Sequence, residues 1–186
     1  MKLTLPTLIT IFRIFLIPVF VVVFYLPVPW ANTAAALIFT LASVTDWIDG
    51  YLARVLNQES AFGAFLDPVA DKLMVVVAIV LLVEAHPSPL IAIPSIIIIS
   101  RELLVSALRE WMAELGSRAT IKVSFIGKAK TTAQLFSLIL MIYNQTLFEI
   151  PVYQVGLAFY YLAAFLTLYS MILYLKAAWP VMSSHG

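Results

Sequence analysis

Cysteine is absent from this chain of 186 residues. Disulfide bonds, metal sites built on thiolates and a cysteine nucleophile are therefore excluded. Histidine occurs only twice, and we expect His86 and His185 to be solvated residues in a connection and a tail rather than catalytic groups. A glycine-rich nucleotide loop and a nucleophile elbow are also missing from the sequence. Any chemistry must come from other side chains.

Charge is scarce as well. Asp, Glu, Lys and Arg make up 11% of the residues and hydrophobic residues 63%, whereas soluble domains carry about 25% charged residues. This composition predicts an all-α, polytopic membrane protein that forms a single domain over residues 1–186. We expect membrane lipid around it and no nucleic-acid partner.

Six transmembrane helices fit the apolar segments, since a span needs about 20 apolar residues. Residues 2–7 are expected to form a short lead-in at the membrane surface, with Pro6 suited to a first helical turn. Arg13 interrupts the apolar stretch that follows, which argues against a cleaved signal peptide. The first helix ends near residue 26, and the other five are predicted at residues 32–55, 61–84, 89–115, 125–143 and 151–178.

Lysine and arginine collect at one side of this arrangement, which in membrane proteins is the cytoplasmic side. The connections at residues 25–31, 86–89 and 144–150 contain neither residue, whereas the termini and the regions around the other turns do. Both termini, and any site near those turns, are therefore expected to face the cytoplasm.

Acidic residues concentrate in residues 45–72, TDWIDGYLARVLNQESAFGAFLDPVADK, which hold five of the ten in the chain. Carboxylates near hydrocarbon are costly, and they are rarely retained without a partner or a task. Asp46 and Asp49 share a face of the second helix, and Asp67 and Asp71 share a face of the third, while Glu59 falls in the turn. Because the two helices run antiparallel, we expect the four aspartates to converge.

Four converging carboxylates cannot all stay ionised without cations, and oxygen ligands without Cys or His suit Mg²⁺ or Mn²⁺. We expect two ions, and a charge network between packed helices is the alternative. Gly50, Ala53 and Gly63 either leave room for a flat ligand or only allow close helix packing. Arg54 can direct a fork of donors at a phosphate.

A second charged region lies at residues 100–130, around the connection between the fourth and fifth helices. Arg101 and Arg109 lie within a span, each followed by a glutamate, and a buried basic pair beside a metal site suits a phosphate. Lys128, in a Gly-Lys pair, can reach the same pocket, and we favour it over Lys130. Two further basic residues are interpreted as anchors at acidic lipid headgroups: Arg118 and Lys122.

The aspartates, the small residues and Arg54 fit the pattern DxxDGxxARx8GxxxDxxxD, with eight fixed residues between positions 46 and 71. This pattern resembles the signature of the CDP-alcohol phosphotransferase family of membrane enzymes. The segments PTLITIFRIFLIP, SRELLVSALREWMAELG and GKAKTTAQ resemble bacterial members that use glycerol 3-phosphate, so the likeness covers nearly the whole chain. The implied location is the bacterial inner membrane.

The resemblance implies transfer of the phosphatidyl group of CDP-diacylglycerol to sn-glycerol 3-phosphate, giving phosphatidylglycerophosphate and CMP. By the family pattern, Asp46, Asp49 and Asp67 bind one ion, Asp46, Asp67 and Asp71 bind the second, and Asp71 is the general base. The implied contacts of the CDP moiety are Gly50, Ala53, Arg54, Ser60 and Gly63, with Thr7 and Thr10 as helpers. The acceptor phosphate is assigned to Arg101, Arg109 and Lys128.

Other functions are left open by the residues alone. A divalent-cation transporter would also place acids inside a helical bundle, but it needs a polar path, and residues 20–26 and 75–83 are almost wholly apolar. A scaffold protein would not need acids, small residues and a basic pocket together. Charge does not exclude inositol phosphate as the acceptor. The largely β-branched run at residues 75–83 is expected to contact either lipid or a second copy in a homodimer.

Overall fold

The computed structural model describes residues 4–55, 61–114, 125–147 and 149–184. Helices make up nearly all of this part of the chain, which is all-α as the composition predicts. They are α1 (Leu5–Phe24), α2 (Ala31–Val55), α3 (Ala61–Ala85), α4 (Pro89–Glu114), α5 (Phe125–Tyr143) and α6 (Val152–Ser184). A short antiparallel hairpin separates the last two helices, and its strands are β1 (Thr146–Leu147) and β2 (Ile150–Pro151).

The helix bounds follow the predicted spans to within two residues, except at the two ends of the chain. α1 begins at Leu5 with Pro6 in its first turn, so residues 5–7 belong to this helix rather than to a separate lead-in. Proline is tolerated there because the first turn of a helix has no partner for its backbone N–H groups. α6 continues to Ser184, six residues beyond the predicted end.

Three helices are long and apolar enough to cross a membrane, judged over the described residues alone. Their candidate spans are Thr7–Phe24 in α1, Pro89–Met112 in α4 and Val152–Lys176 in α6. The protein is therefore a membrane protein, and the total of six spans stays a prediction. α2 and α3 differ from these helices in carrying the aspartates at the ends that adjoin residues 56–60.

An apolar core fills the end of the bundle opposite to the aspartates. Phe20 of α1, Phe39 of α2, Ile79 of α3 and Leu138 of α5 are all fully buried in one cluster. α5 and α6 pack closely there, because a Cβ atom on Gly156 would lie 2.9 Å from the Cβ atom of Leu140. This packing leaves the polar residues to the other end of the bundle.

The site is positioned by α1, which packs against both α2 and α3. α2 ends at Val55 and α3 begins at Ala61, so the acidic stretch lies on the adjoining ends of these two helices. The acidic ends of the two helices are consequently both within reach of the N-terminal half of α1. This contact between three helices brings distant parts of the sequence together.

Candidate functional site

Two side chains of α1 contact two of the signature aspartates. Nη1 of Arg13 donates a hydrogen bond to Oδ1 of Asp46 on α2, at 2.6 Å. Oγ1 of Thr10 donates to Oδ1 of Asp67 on α3, at 2.5 Å. One helix without any signature residue therefore joins the two halves of the signature.

Both donors are completely buried, with exposures of 1% for Arg13 and 0% for Thr10. They are three residues apart, so they lie on the same face of α1, about 4.5 Å apart along the helix axis. Asp46 and Asp67 are thereby brought to neighbouring levels beside α1. The side chain of Asp46 keeps 42% of its surface exposed, which leaves it open to a ligand on its other side.

Asp71 completes the described part of the acidic group. It lies one turn beyond Asp67 on α3, and it is close enough to Asp46 and Arg13 to interact electrostatically with both. Asp71 is exposed on one side, while other residues surround much of its carboxylate. The carboxylate can therefore meet a substrate that enters from the polar end of the bundle.

A cavity of about 70 Å³ opens beside Asp71, between α3, α4 and α5. This volume exceeds the roughly 10–15 Å³ that a single water needs. The polar part of its wall consists of Asp71, Lys72, Glu102, Lys130, Thr131 and Gln134. Its deeper wall is apolar and consists of Val75, Val76, Ile79, Ile98, Ile99 and Leu135. A small ligand with a charged group fits this gradient of polarity.

Glu102 is the centre of a charged network at the cavity wall. Its Oε1 atom accepts hydrogen bonds from Nζ of Lys130 and, at 3.1 Å, from Nη1 of Arg101. Lys72 donates to Oγ of Ser106 at 2.5 Å, and that hydroxyl donates to the backbone carbonyl of Glu102. One acidic side chain thus pairs with two cations and neutralises one of their two charges, while Lys72 is held nearby by a neutral partner.

The remaining predicted site residues divide into three groups. Thr7 is buried and its hydroxyl is 2.9 Å from that of Thr4, while Gly63 is buried near the start of α3. Ser60 lies outside the described residues. Six residues lie on described helices, but their side chains lie outside the description: Asp49, Gly50, Ala53, Arg54, Arg109 and Lys128.

The donor chemistry of the site suits a hard divalent cation. The described acids offer only carboxylate oxygens, which Mg²⁺ and Mn²⁺ prefer, and the hydrogen bonds to Asp46 and Asp67 each engage a single oxygen of the carboxylate. Among the side chains that the structure describes, no three acids form a ready metal-binding group. Asp49, the fourth predicted ligand, falls outside that set.

Sequence reasoning assigned no site role to four polar residues: Arg13, Lys72, Glu102 and Lys130. Arg13 has the clearest sequence signal, since a charged residue in the middle of an apolar helix is functional by default. Lys130 is 3% exposed and faces the cavity, although the sequence favours Lys128 over it. Lys128 and Lys130 lie on different faces of α5, but the helical period alone does not show which face points toward the cavity.

The apolar run at residues 75–83 contributes mainly to the interior of the bundle. Val75, Ala78, Ile79, Leu81 and Leu82 are buried within the described chain, and a single residue of the run is strongly exposed, Val80 at 54%. Little of this segment is therefore left to contact either lipid or a second copy. The homodimer stays a prediction.

The chain is similar to known proteins over nearly its whole length. Residues 3–178 match the model of the family described as CDP-alcohol phosphatidyltransferase. A Shigella flexneri protein named "CDP-diacylglycerol--glycerol-3-phosphate 3-phosphatidyltransferase" is 54% identical over 96% of this chain and 96% of its own length. A protein of the same name from Escherichia coli K12 is 53% identical over the same shares of the two chains.

Proposed function

Because the chain belongs to the CDP-alcohol phosphatidyltransferase family, we propose that it transfers the phosphatidyl group of CDP-diacylglycerol to sn-glycerol 3-phosphate. The products are phosphatidylglycerophosphate and CMP. One observation carries the proposal: Asp46 and Asp67, from the two halves of the signature, are held side by side by a single helix. The names of the relatives support the choice of acceptor.

The proposed cofactors are two divalent cations, Mg²⁺ or Mn²⁺, held by Asp46, Asp49, Asp67 and Asp71. Asp46 and Asp67 contribute to both, Asp49 to the first and Asp71 to the second. When bound, such ions neutralise the pyrophosphate oxygens of the donor and the charge that develops during transfer. The donor set of oxygen atoms supports this assignment.

Asp71 is the proposed general base. The hydroxyl oxygen of the acceptor forms a bond to the phosphatidyl phosphorus, the bond between that phosphorus and the bridging oxygen breaks, and CMP leaves with the electron pair. The proton of the hydroxyl passes to the Asp71 carboxylate. Exposure of Asp71 beside the cavity supports this role, because a base must be within hydrogen-bond reach of the proton that it accepts.

The donor lies on the opposite side of the aspartates in this proposal. Gly50, Ala53 and Gly63 leave room for the CDP moiety, Arg54 binds its diphosphate, and Ser60 is a further contact. Thr7 and Thr10 are expected from the sequence to help from α1. The hydroxyl of Thr10 is bonded to Asp67 instead, which favours an indirect contribution.

The acceptor phosphate is assigned to the basic side of the cavity. Arg101, Arg109 and Lys128 are the predicted contacts, and the buried position of Lys130 adds it to this group. Lys72 and Lys130 line the cavity together with the proposed base, Asp71, which supports an acceptor phosphate at this wall. A phosphate bound there would leave the hydroxyl end of a three-carbon acceptor close to Asp71.

The rival function, divalent-cation transport, needs a polar path between the two ends of the bundle. In the described part of the chain, the end away from the acids is filled by buried apolar side chains such as Phe20, Ile79 and Leu138. These buried apolar side chains argue against such a path. Proteoliposomes that contain the protein should show no Mn²⁺ flux above empty vesicles.

The decisive experiment supplies purified protein with CDP-diacylglycerol, Mg²⁺ and one acceptor: glycerol 3-phosphate, inositol phosphate, serine or phosphatidylglycerol. We expect CMP release and a new lipid only with glycerol 3-phosphate. Stronger CMP release with another acceptor would overturn the proposed activity and keep the family. We further propose that the site and both termini face the cytoplasm in a bacterial inner membrane.

A further inference from the structure

α1 carries no residue of the family signature, yet its two most deeply buried polar side chains in the described site both end on signature carboxylates. We propose that Arg13 and Thr10 are positioning residues of the metal centre: Arg13 fixes the Asp46 carboxylate, and Thr10 fixes the Asp67 carboxylate. This inference rests on the proposed function, and it adds α1 to the machinery of the signature.

The two contacts engage the pair of aspartates to which both cations are assigned. Each hydrogen bond uses Oδ1 of the carboxylate, at 2.6 Å for Asp46 and 2.5 Å for Asp67. The second oxygen of each group then remains for a cation. A carboxylate whose rotation is stopped by such a donor loses less freedom when it binds an ion, and outer contacts of this kind strengthen metal sites.

Arg13 has an additional electrostatic effect. Its guanidinium group is buried at 1% exposure inside an apolar helix, where an unpaired charge would be costly. Asp46 supplies the opposite charge, and Asp71 is close enough to interact with both. Arg13 therefore offsets repulsion between the two acids before ions bind, so that the carboxylates keep their arrangement in the empty site.

Thr10 contributes a neutral donor with little freedom to rotate. β-Branched side chains have restricted χ1 angles in helices, and this hydroxyl is completely buried between α1 and α3. The hydroxyl is thus oriented toward Asp67, and it adds no charge to the site. A valine in its place would keep the shape and remove the hydroxyl.

A purely structural role would also explain the contacts, since hydrogen bonds between helices hold a bundle together. The two roles differ in what they change. A positioning role alters the affinity for the ion, whereas a structural role lowers the unfolding temperature of the metal-free protein and leaves affinity alone. Thr167 provides the matched comparison, because it is a fully buried threonine on α6 whose hydroxyl has no hydrogen-bond partner in the described part of the chain.

The test is calorimetric titration of the purified protein with Mn²⁺, together with thermal unfolding in the absence of metal. Loss of one hydrogen bond to a charged group predicts about a tenfold weaker Mn²⁺ affinity for Thr10→Val. Thr10→Ser should recover most of the affinity, and Thr167→Val should not change it. Arg13→Met should weaken binding more than Arg13→Lys does, because lysine restores the charge.

Transfer to glycerol 3-phosphate provides a second readout. Excess Mn²⁺ should restore turnover by Thr10→Val, because the variant lacks affinity rather than a reacting group. Mn²⁺ affinity of Thr10→Val equal to that of the unchanged protein, or an equal loss in Thr167→Val, overturns the inference. If Arg13→Met does not fold, the Mn²⁺ affinities of the Thr10 and Thr167 variants still test the inference. An unchanged protein that neither binds Mn²⁺ nor releases CMP overturns the proposed function, and this inference with it.

Discussion

The ammonium group of Lys130 on α5 donates a hydrogen bond to Oε1 of Glu102 on α4. The side chain of Lys130 is 4% exposed and that of Glu102 is 24% exposed, so the pair lies at the inner wall of the cavity beside Asp71. The same oxygen accepts from Arg101. Glu102 therefore pairs with two cations, and its contact with Lys130 links α4 to α5.

Glu102→Gln should destabilise the protein more than Lys130→Met does. The first change leaves two cations without their common charge, which costs about 3 kcal/mol for a mostly buried pair. The second leaves Glu102 paired with Arg101, so we expect a cost of about 1 kcal/mol. Thermal unfolding in detergent measures both, with Glu110→Gln on the exposed face of α4 as control. Equal losses for the first two variants would contradict the shared role.

The variants Asp46→Asn and Asp67→Asn should each lose the ability to bind two ions. Each aspartate is assigned to both ions, so that removing either charge affects both sites. Calorimetry with Mn²⁺ gives the stoichiometry, and Glu84→Gln at the far end of α3 provides a control with the same change of charge. Two ions bound by both aspartate variants would exclude the bridging assignment.

Asp71→Asn should retain donor binding and lose turnover. An amide is nearly the same size as a carboxylate and can remain near an ion, but it cannot accept the proton of the acceptor hydroxyl. General-base catalysis supplies about 10²–10⁴-fold in rate, and we expect a loss of that order. Binding of CDP-diacylglycerol, measured by calorimetry, serves as the control for folding. Turnover near that of the unchanged protein would falsify the base assignment.

Arg109→Ala should raise KM for glycerol 3-phosphate and leave donor affinity nearly unchanged. Loss of a charged hydrogen bond to phosphate costs about 1.5–3 kcal/mol, or roughly tenfold to more than a hundredfold in affinity. Arg118→Ala is the comparison, since we assign that residue to lipid headgroups. Initial rates of CMP release at varied acceptor concentration give both values. A similar KM for the two variants would remove Arg109 from the acceptor site.

Gly156→Ala should destabilise the protein, although helix propensity alone predicts the opposite sign. Alanine favours a helix over glycine by about 1 kcal/mol. The new Cβ atom would lie 2.9 Å from both the Cβ atom of Leu140 and the Cγ atom of Met141. Overpacking of this kind costs about 1–3 kcal/mol. A raised unfolding temperature in detergent would contradict this prediction, because it would show that α5 and α6 can move apart without a loss of stability.

The spacing of the aspartates is sufficient to predict the acidic site from the sequence. Positions three and four apart share a helix face, so Asp46 with Asp49 and Asp67 with Asp71 had to form two stripes once the helices were recognised. The short polar segment at residues 55–60 predicted that those helices run antiparallel. The helix bounds could also be predicted from the sequence, because turns and prolines interrupt the apolar segments at intervals close to the length of a membrane span.

The partners of those acids were decided by tertiary structure alone. Arg13 and Asp46 are 33 residues apart, and Lys130 and Glu102 are 28 residues apart. Each pairing depends on the rotation of one helix against another, which is fixed by side-chain packing over the whole bundle. The sequence by itself therefore determined the family, the helices and the reacting groups. Packing of α1 on α2 and α3, and of α4 and α5 on α3, decided which buried cation stabilises which carboxylate.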